Sequence, residues 1–309
     1  MTLSSHDSVF TCQRILVVFD PYHTEQPAYH RACFLAKKLN AELLVVSCIY
    51  DETYDMTNFL SAEQRVDMKS ALLNGQLKAM QACTAKTIGV KVSVKSVWHK
   101  SLHQGIIDVA THEDCDMIVK ACKNHTKFAH KLFTPSDWRL LRYSPLNVLM
   151  VKDHDWPENG NIVASISVDT NDKVHNLLSE RVTKISCDLA KMVNARVNLA
   201  NTFAGAPVHV AIEVPSFNAQ AYNQDIQDKH EKDVHTIAQA HDIPDDQVFV
   251  SEGLPEDIIP KVCEKLDAEL LVLGSVGRRG ISAALLGNTA EHIIDHVTCD
   301  TLVIKPQLK

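Results

Sequence analysis

The chain carries one pattern twice, and this duplication limits its fold more than any other feature. Each half opens on an apolar run that ends in an acid: Arg14-Ile-Leu-Val-Val-Phe-Asp20, then Ile162 to Asp169. Helical stretches then alternate with short apolar runs in both halves. Asp20 aligns with Asp169 at an offset of 149 residues, and Ile118 with Leu271, Thr134 with Gly287 and Leu149 with Leu302 at an offset of 153. A repeat of this length means tandem domains, not a solenoid of small units. Alternating strands and helices imply an α/β fold with a five-stranded parallel sheet in each copy, sandwiched by helices through right-handed crossovers. Ligands of such sheets bind outside the carboxyl ends of the strands, the edge where Asp20 and Asp169 fall.

In the first copy, residues 10–152, strands are expected at Arg14–Asp20, Glu42–Tyr50, Val90–Val97, Asp116–Lys120 and Leu146–Val151. Helices are expected over Glu25–Leu39, Ser61–Lys86, Ser101–His112 and from Thr134-Pro135, where proline suits a first turn. Residues 1–12 read as a loose arm, residues 51–60 as polar and irregular. Asp153 to Asn161 has the turn and breaker composition of an exposed linker. The second copy, residues 161–309, repeats the order. Its strands are Ile162–Asp169, Arg196–Thr202, Gln247–Ser251, Glu269–Leu273 and Thr301–Ile304. Its helices are Lys173–Met192, Asn218–His241, Pro255–Leu266 and Ala290–His296. The proline-punctuated stretch Phe203–Phe217 replaces residues 51–60.

The most specific motif lies in the second copy, where Leu270-Leu-Val-Leu273 enters a loop with Gly274, Gly277, Gly287, Asn288 and Thr289. Glycine permits φ > 0 and close backbone approach to a ligand. Asn288 followed by Glu291 predicts a capping box, and backbone N–H groups at a helix start hold phosphate. No Gly-Lys-Ser/Thr closes the loop as in a P-loop, and G-x-G-x-x-G is absent. The spacing G-x2-G-x9-G and a small polar residue, between the fourth strand and the last helix, resembles the nucleotide-binding universal stress proteins. That family usually has Ser or Thr directly after the last glycine, where this chain has Asn288, with Thr289 one place on. With the tandem layout, the chain is similar over about residues 10–306 to tandem-domain universal stress proteins of the E type.

The resemblance implies an adenine nucleotide alpha hydrolase-like fold and a nucleotide or phosphate ligand in the second copy. It places Asp169 beside the adenosine part, where a carboxylate accepts from a base amine or ribose hydroxyls; the plainer reading is a strand-end turn former. Thr202 aligns with the base pocket. Arg278 and Arg279 either screen phosphate charge or are exposed loop arginines. The first copy has Ala121, Asn124 and Thr134 where the second has Gly274, Gly277 and Gly287, so no nucleotide is expected there by the family mode. The resemblance also implies that single domains pair through their last strands. Here the two copies would form that pair internally, Leu146–Val151 against Thr301–Ile304.

Composition closes off other classes. Residues 1–152 hold 18 Lys and Arg against 14 Asp and Glu, and residues 153–309 hold 13 against 24, so neither half has the strong basic stripe of a general nucleic-acid binder. No apolar run reaches a membrane span and no signal-peptide pattern opens the chain. The nine scattered cysteines, without a C-x-x-C pair, suit reduced thiols in a cytoplasm. His292 and His296 share one helical face, but no third ligand is evident and no metal is expected. His112-Glu-Asp-Cys-Asp116 reads as a helix end leading into a strand. With no nucleophile elbow or paired-carboxylate motif, an enzyme is not expected and no catalytic residue is assigned.

Three functions stay open. The resemblance implies a cytoplasmic, non-enzymatic protein supporting survival under stress such as growth arrest or DNA damage. It needs no cofactor, but would bind ATP or a related phosphate ligand. A carrier or sensor of a larger, partly apolar, phosphate-bearing ligand would use Phe203–Phe217 as a cleft wall. A protein-interaction scaffold would present the degenerate first copy to partners that the sequence does not name.

Overall fold

The computed structural model describes residues 10–56, 60–122, 133–152, 154–168, 173–207, 217–275 and 286–306. The chain divides into an N-terminal unit, Thr11–Asp153, and a C-terminal unit built on His154–Lys309.

The N-terminal unit runs β1 (Arg14–Val18), α1 (Pro27–Leu39), β2 (Glu42–Ile49), a single turn α2 (Thr53–Met56), α3 (Ala62–Thr84), β3 (Val92–Trp98), α4 (Leu102–His112), β4 (Met117–Ala121), α5 (Pro135–Tyr143) and β5 (Asn147–Val151). The C-terminal unit repeats it as β6 (Asn161–Ser165), α6 (Lys173–Val193), β7 (Arg196–Phe203), α7 (Ala219–Ala240), β8 (Val248–Glu252), α8 (Pro255–Lys265), β9 (Leu270–Gly274), α9 (Asn288–His296) and β10 (Asp300–Ile304). The strand order is 3-2-1-4-5 in the first sheet and 8-7-6-9-10 in the second, all neighbours parallel. Order reverses between β1 and β4, and between β6 and β9. These are the switch points where a crevice opens beyond the strand ends.

Near-continuous apolar runs make the central strands, because a parallel sheet is covered on both faces. Ile15, Leu16 and Val17 of β1, and Leu271 and Val272 of β9, have no exposed surface. One acid ties the start of each sheet: Asp116 accepts from the N–H groups of Gln13 and Arg14 at 2.7 and 2.9 Å, and Glu269 accepts from the N–H of Asn161. These bonds pin β1 to β4 and β6 to β9 in register. Cys12 is buried, so the loose arm expected over residues 1–12 does not extend that far.

Helix ends repeat as well. α1 and α6 stop at Asn40 and Asn194, and α4 and α8 are followed by Asp114 and Asp267, all with φ between 47 and 54°. Asn and Asp tolerate this left-handed conformation best after glycine. The next residue then bonds back to the last turn, as in Ala41 N–H to Ala36 O and Ala195 N–H to Ala190 O, both at 2.9 Å.

A buried polar pair joins the second strand of each sheet to the long helix over it. Ser47 Oγ donates to Gln76 Oε1 at 3.2 Å; at the equivalent places His230 Nδ1 and Asn201 Oδ1 are 2.7 Å apart, and Asn201 also donates to Ile166 O. Their positions differ by 154 residues in both members, so the pair is one structural device with two chemistries.

The segment between the units departs from the exposed linker expected. Asp155, Pro157, Glu158 and Asn159 are exposed, but Gly160 is buried and His154 and Trp156 are half-buried. The cause is Asp300, fully buried at the start of β10. Trp156 Nε1–H donates to its carboxylate at 3.1 Å, and the Asp300 N–H donates to His154 Nε2 at 3.0 Å. A buried carboxylate needs a donor such as this indole.

Replacing His230 with Leu leaves Asn201 Oδ1 without its partner and should lower stability by about 1–3 kcal/mol. Asn201→Ser with His230→Gln copies the N-terminal pair and should recover part of that loss in thermal denaturation.

Candidate functional site

The loop after β9 and the start of α9 form the candidate phosphate seat of the C-terminal unit. Asp169, Gly277 and Arg278 lie outside the described residues, as do Arg279 and residues 208–216. Gly274 closes β9, paired with Ile304. Its φ is not in the left-handed region, so the glycine has another cause: a Cβ here would lie 2.6 Å from Leu178 Cγ of α6. The missing side chain lets helix and sheet close together, so φ > 0 is not what calls for glycine at this position.

Helix α9 begins differently from the capping box expected at Asn288. Gly287, at φ −73° and ψ 152°, is the N-cap and has no side chain to cap the helix, and Asn288 is already the first helical residue. Asn288 is exposed and Thr289 half-buried. Thr202 lies near the end of β7, half-buried, with β6 between its strand and β9. The structure therefore joins Gly287, Asn288 and Thr289 at one helix start, puts Gly274 at the entering strand end, and sets Thr202 two strands away.

The N-terminal copy fills the corresponding place with its own groups. Thr134 replaces Gly287 and forms a complete capping box with Asp137 on α5. The Thr134 N–H and hydroxyl donate to Asp137 Oδ2 at 2.7 and 2.8 Å, while Lys120 Nζ lies 2.6 Å from Oδ1. Asp137 is fully buried and Lys120 nearly so. A carboxylate thus sits in the first turn of α5, where helix N–H groups and dipole favour an anion. At the strand end above it, Asp20 acts as a turn former, accepting from the Tyr22 N–H at 2.9 Å and pairing with His23 at 3.0 Å. The rest of the basic loop, residues 123–132, lies outside the described residues.

Two buried lysines escaped the sequence reading. Lys152 and Lys305, each 2% exposed, directly follow the last strand of their copies. Lys152 Nζ lies 5.4 Å from the Phe133 ring centroid, a cation–π distance. Lys305 Nζ donates to Ser275 Oγ at 3.2 Å, just past Gly274. Burial pulls the Lys305 ammonium down to about 8. The signal was in the sequence: Val151-Lys152 and Ile304-Lys305 stand at the same offset of 153.

Other candidate groups have local roles. His296 Nδ1 is 2.7 Å from the His292 carbonyl and donates to it, so this ring serves the helix backbone. Among the described residues no group of three or more His, Cys, Asp or Glu side chains is arranged to hold a metal ion. All nine cysteines are free. Burial pushes the Cys48, Cys115 and Cys187 thiols up to about 11, which keeps them protonated and unreactive.

Removing Asp137 as Ala should destabilise the N-terminal unit by about 3–5 kcal/mol, because it strands the buried Lys120 charge. Adding Lys120→Met should restore much of the loss in urea denaturation. Lys305 has the opposite sign. Its folded value, about 8, lies below the ordinary 10.5, so the unfolded chain binds more protons between these limits. Its penalty, on the order of 3 kcal/mol, is complete below pH 8 and fades as pH rises toward 10.5. Lys305→Met should therefore be more stable than the parent below pH 8, with the gap in melting temperature closing through that window.

Comparison with known proteins agrees with this architecture. The family model described as the universal stress protein family matches residues 11–152 and again 174–305. Universal stress protein E of Escherichia coli (strain K12) is 38% identical over 297 residues, covering 95% of this chain and 94% of that protein. Universal stress protein E homolog of Haemophilus influenzae is 34% identical over 304 residues, covering 96% and 98%. Among solved structures, a functionally unknown protein from Pseudomonas aeruginosa PAO1 superposes with a TM-score of 0.72 at 28% identity, covering 96% of this chain and 93% of that one. No helix among the described residues is long and apolar enough to cross a membrane. With two matched domains and full-length relatives of the same layout, the chain belongs to the universal stress protein family.

Proposed function

We propose that this protein is a non-enzymatic stress protein of the cytoplasm whose C-terminal domain binds ATP or a related phosphate ligand at its glycine loop and whose N-terminal domain does not bind one by that mode. It supports survival under conditions such as growth arrest or DNA damage. The reading rests above all on the contrast between the two helix starts. α5 is sealed by Thr134, Asp137 and Lys120, whereas α9 begins at Gly287 with no side-chain cap. An open start offers N–H groups to an outside acceptor, and a phosphate is the acceptor best matched to them and to the helix dipole. Gly274, Gly277, Gly287, Asn288 and Thr289 form the seat in this reading. Arg278 screens phosphate charge, and Asp169 and Thr202 face the nucleoside. Binding energy comes mostly from backbone groups, so no catalytic side chain is required.

Gly277→Val should abolish ATP binding in calorimetric titration while leaving the thermal melt in place, because a β-branched side chain resists φ > 0 and blocks backbone approach. Asn124→Val, the matching change in the sealed copy, should bind ATP as wild type does. ATP binding by Gly277→Val at wild-type strength would reduce the loop to an ordinary turn.

A further inference from the structure

The carboxyl edge of the N-terminal sheet carries a second cluster, on the far side of β1 from the sealed seat. β2 and β3 end together, with Ile49 opposite Trp98. Tyr50 follows β2 at once, and α2 brings Tyr54 back to the same place. The Tyr54 and Trp98 rings meet edge to face with centroids 5.1 Å apart, and Tyr50 is tilted against Trp98 at 5.6 Å. All three rings are half-buried. Three aromatic side chains at the open end of a parallel sheet form a wall with π faces and edges within reach of solvent.

Two cations border this wall, and Asp51 and Glu52 follow Tyr50 directly. Lys69 Nζ, from α3, lies 5.8 Å from the Trp98 centroid, and Lys100 Nζ lies 5.9 Å from that of Tyr50. Two residues after Lys100, α4 begins without a side-chain cap, because the Ser101 hydroxyl is bonded to His103 Nδ1 at 2.9 Å instead of to the backbone. Burial, Arg139 and His99, in that order, hold the His103 imidazole below its ordinary range. Nearby Asp51 is bonded to the N–H and hydroxyl of Thr53.

Among the described residues the C-terminal copy does not repeat the arrangement. In the same register, Phe203 at the end of β7 stands opposite Glu252, so a carboxylate replaces the indole. That carboxylate accepts from Asn223 of α7. The indole at this register position therefore belongs to one copy and is not a demand of the fold.

We propose that this edge binds a planar aromatic anion. The ring lies against Trp98, Tyr50 and Tyr54, and the anionic group sits among Lys69, Lys100 and the amino end of α4. Aromatic walls favour flat rings, and clustered cations at a helix start favour negative charge. Two sources share this chemistry, an aromatic carboxylate and a nucleoside monophosphate.

The full-length protein with labelled tryptophans reports on Trp98, Trp138 and Trp156 as separate indole N–H resonances, assigned with Trp98→Phe. Titration with 2-naphthoate or AMP should shift the Trp98 signal saturably and leave the other two in place. A response to 2-naphthoate alone names the carboxylate source, and a response to AMP alone the nucleotide source. Lys69→Gln with Lys100→Gln, two changes at the rim, should raise the dissociation constant about tenfold or more. Trp98→Phe should still bind in equilibrium dialysis and Trp98→Ala should not. A Trp98 resonance unmoved by both aromatic anions would overturn the proposal. So would equal affinity in the double lysine variant, or an equal shift with inorganic phosphate, which has no ring. Because the readout is local to Trp98, it is independent of ligand at the glycine loop.

Discussion

A parallel sheet buried on both faces leaves only its two ends for anything but packing, and most of this molecule follows from that constraint. Its central strands are mostly apolar, its connections are helices, and many of its polar side chains gather where strands stop. At the amino ends they serve structure: Asp116 and Glu269 receive the first N–H groups of the central strands, and Asp300 takes the Trp156 indole. At the carboxyl ends the same geometry creates seats for anions, because the following helices present their amino termini there.

The two copies use those seats in opposite ways. In one, Asp137 supplies a permanent anion and Lys120 neutralises it, so the helix start is satisfied from within. In the other, a glycine withholds the side chain that would seal the helix. Buried ion pairs contribute little net stability, because desolvation offsets attraction. Closing a seat in this way therefore changes what the seat can bind more than how firmly the unit folds. The two copies share a scaffold and differ at its ends, as Trp98 in one and Glu252 in the other also illustrate.

Much of the fold was legible in the residues. Apolar runs such as Ile15–Val18 and Leu270–Leu273 announced buried strands. The offset of 153 residues announced two copies, and Pro135 and Pro255 marked helix starts correctly. The errors were local. Asn288 looks like a cap in any window of four residues, yet the chain enters α9 one residue earlier, at Gly287. Gly274 looks like a position that needs φ > 0, yet it is small because Leu178, nearly a hundred residues away, packs against it. The segment around Trp156 looks like free linker until a buried carboxylate claims its indole.

By itself, the sequence determined the periodicity, the duplication and the absence of the three glycines from the first copy, since each is a property of residue order and side-chain volume. Tertiary structure alone decided which polar groups are satisfied internally. That Lys120 meets Asp137, that Lys305 is buried beside Ser275, and that Tyr50, Tyr54 and Trp98 share one edge depends on strands brought together across long stretches of chain. The physical reason is that hydropathy patterns act over a few neighbouring residues. Desolvation and pairing of a charge depend on everything packed around it.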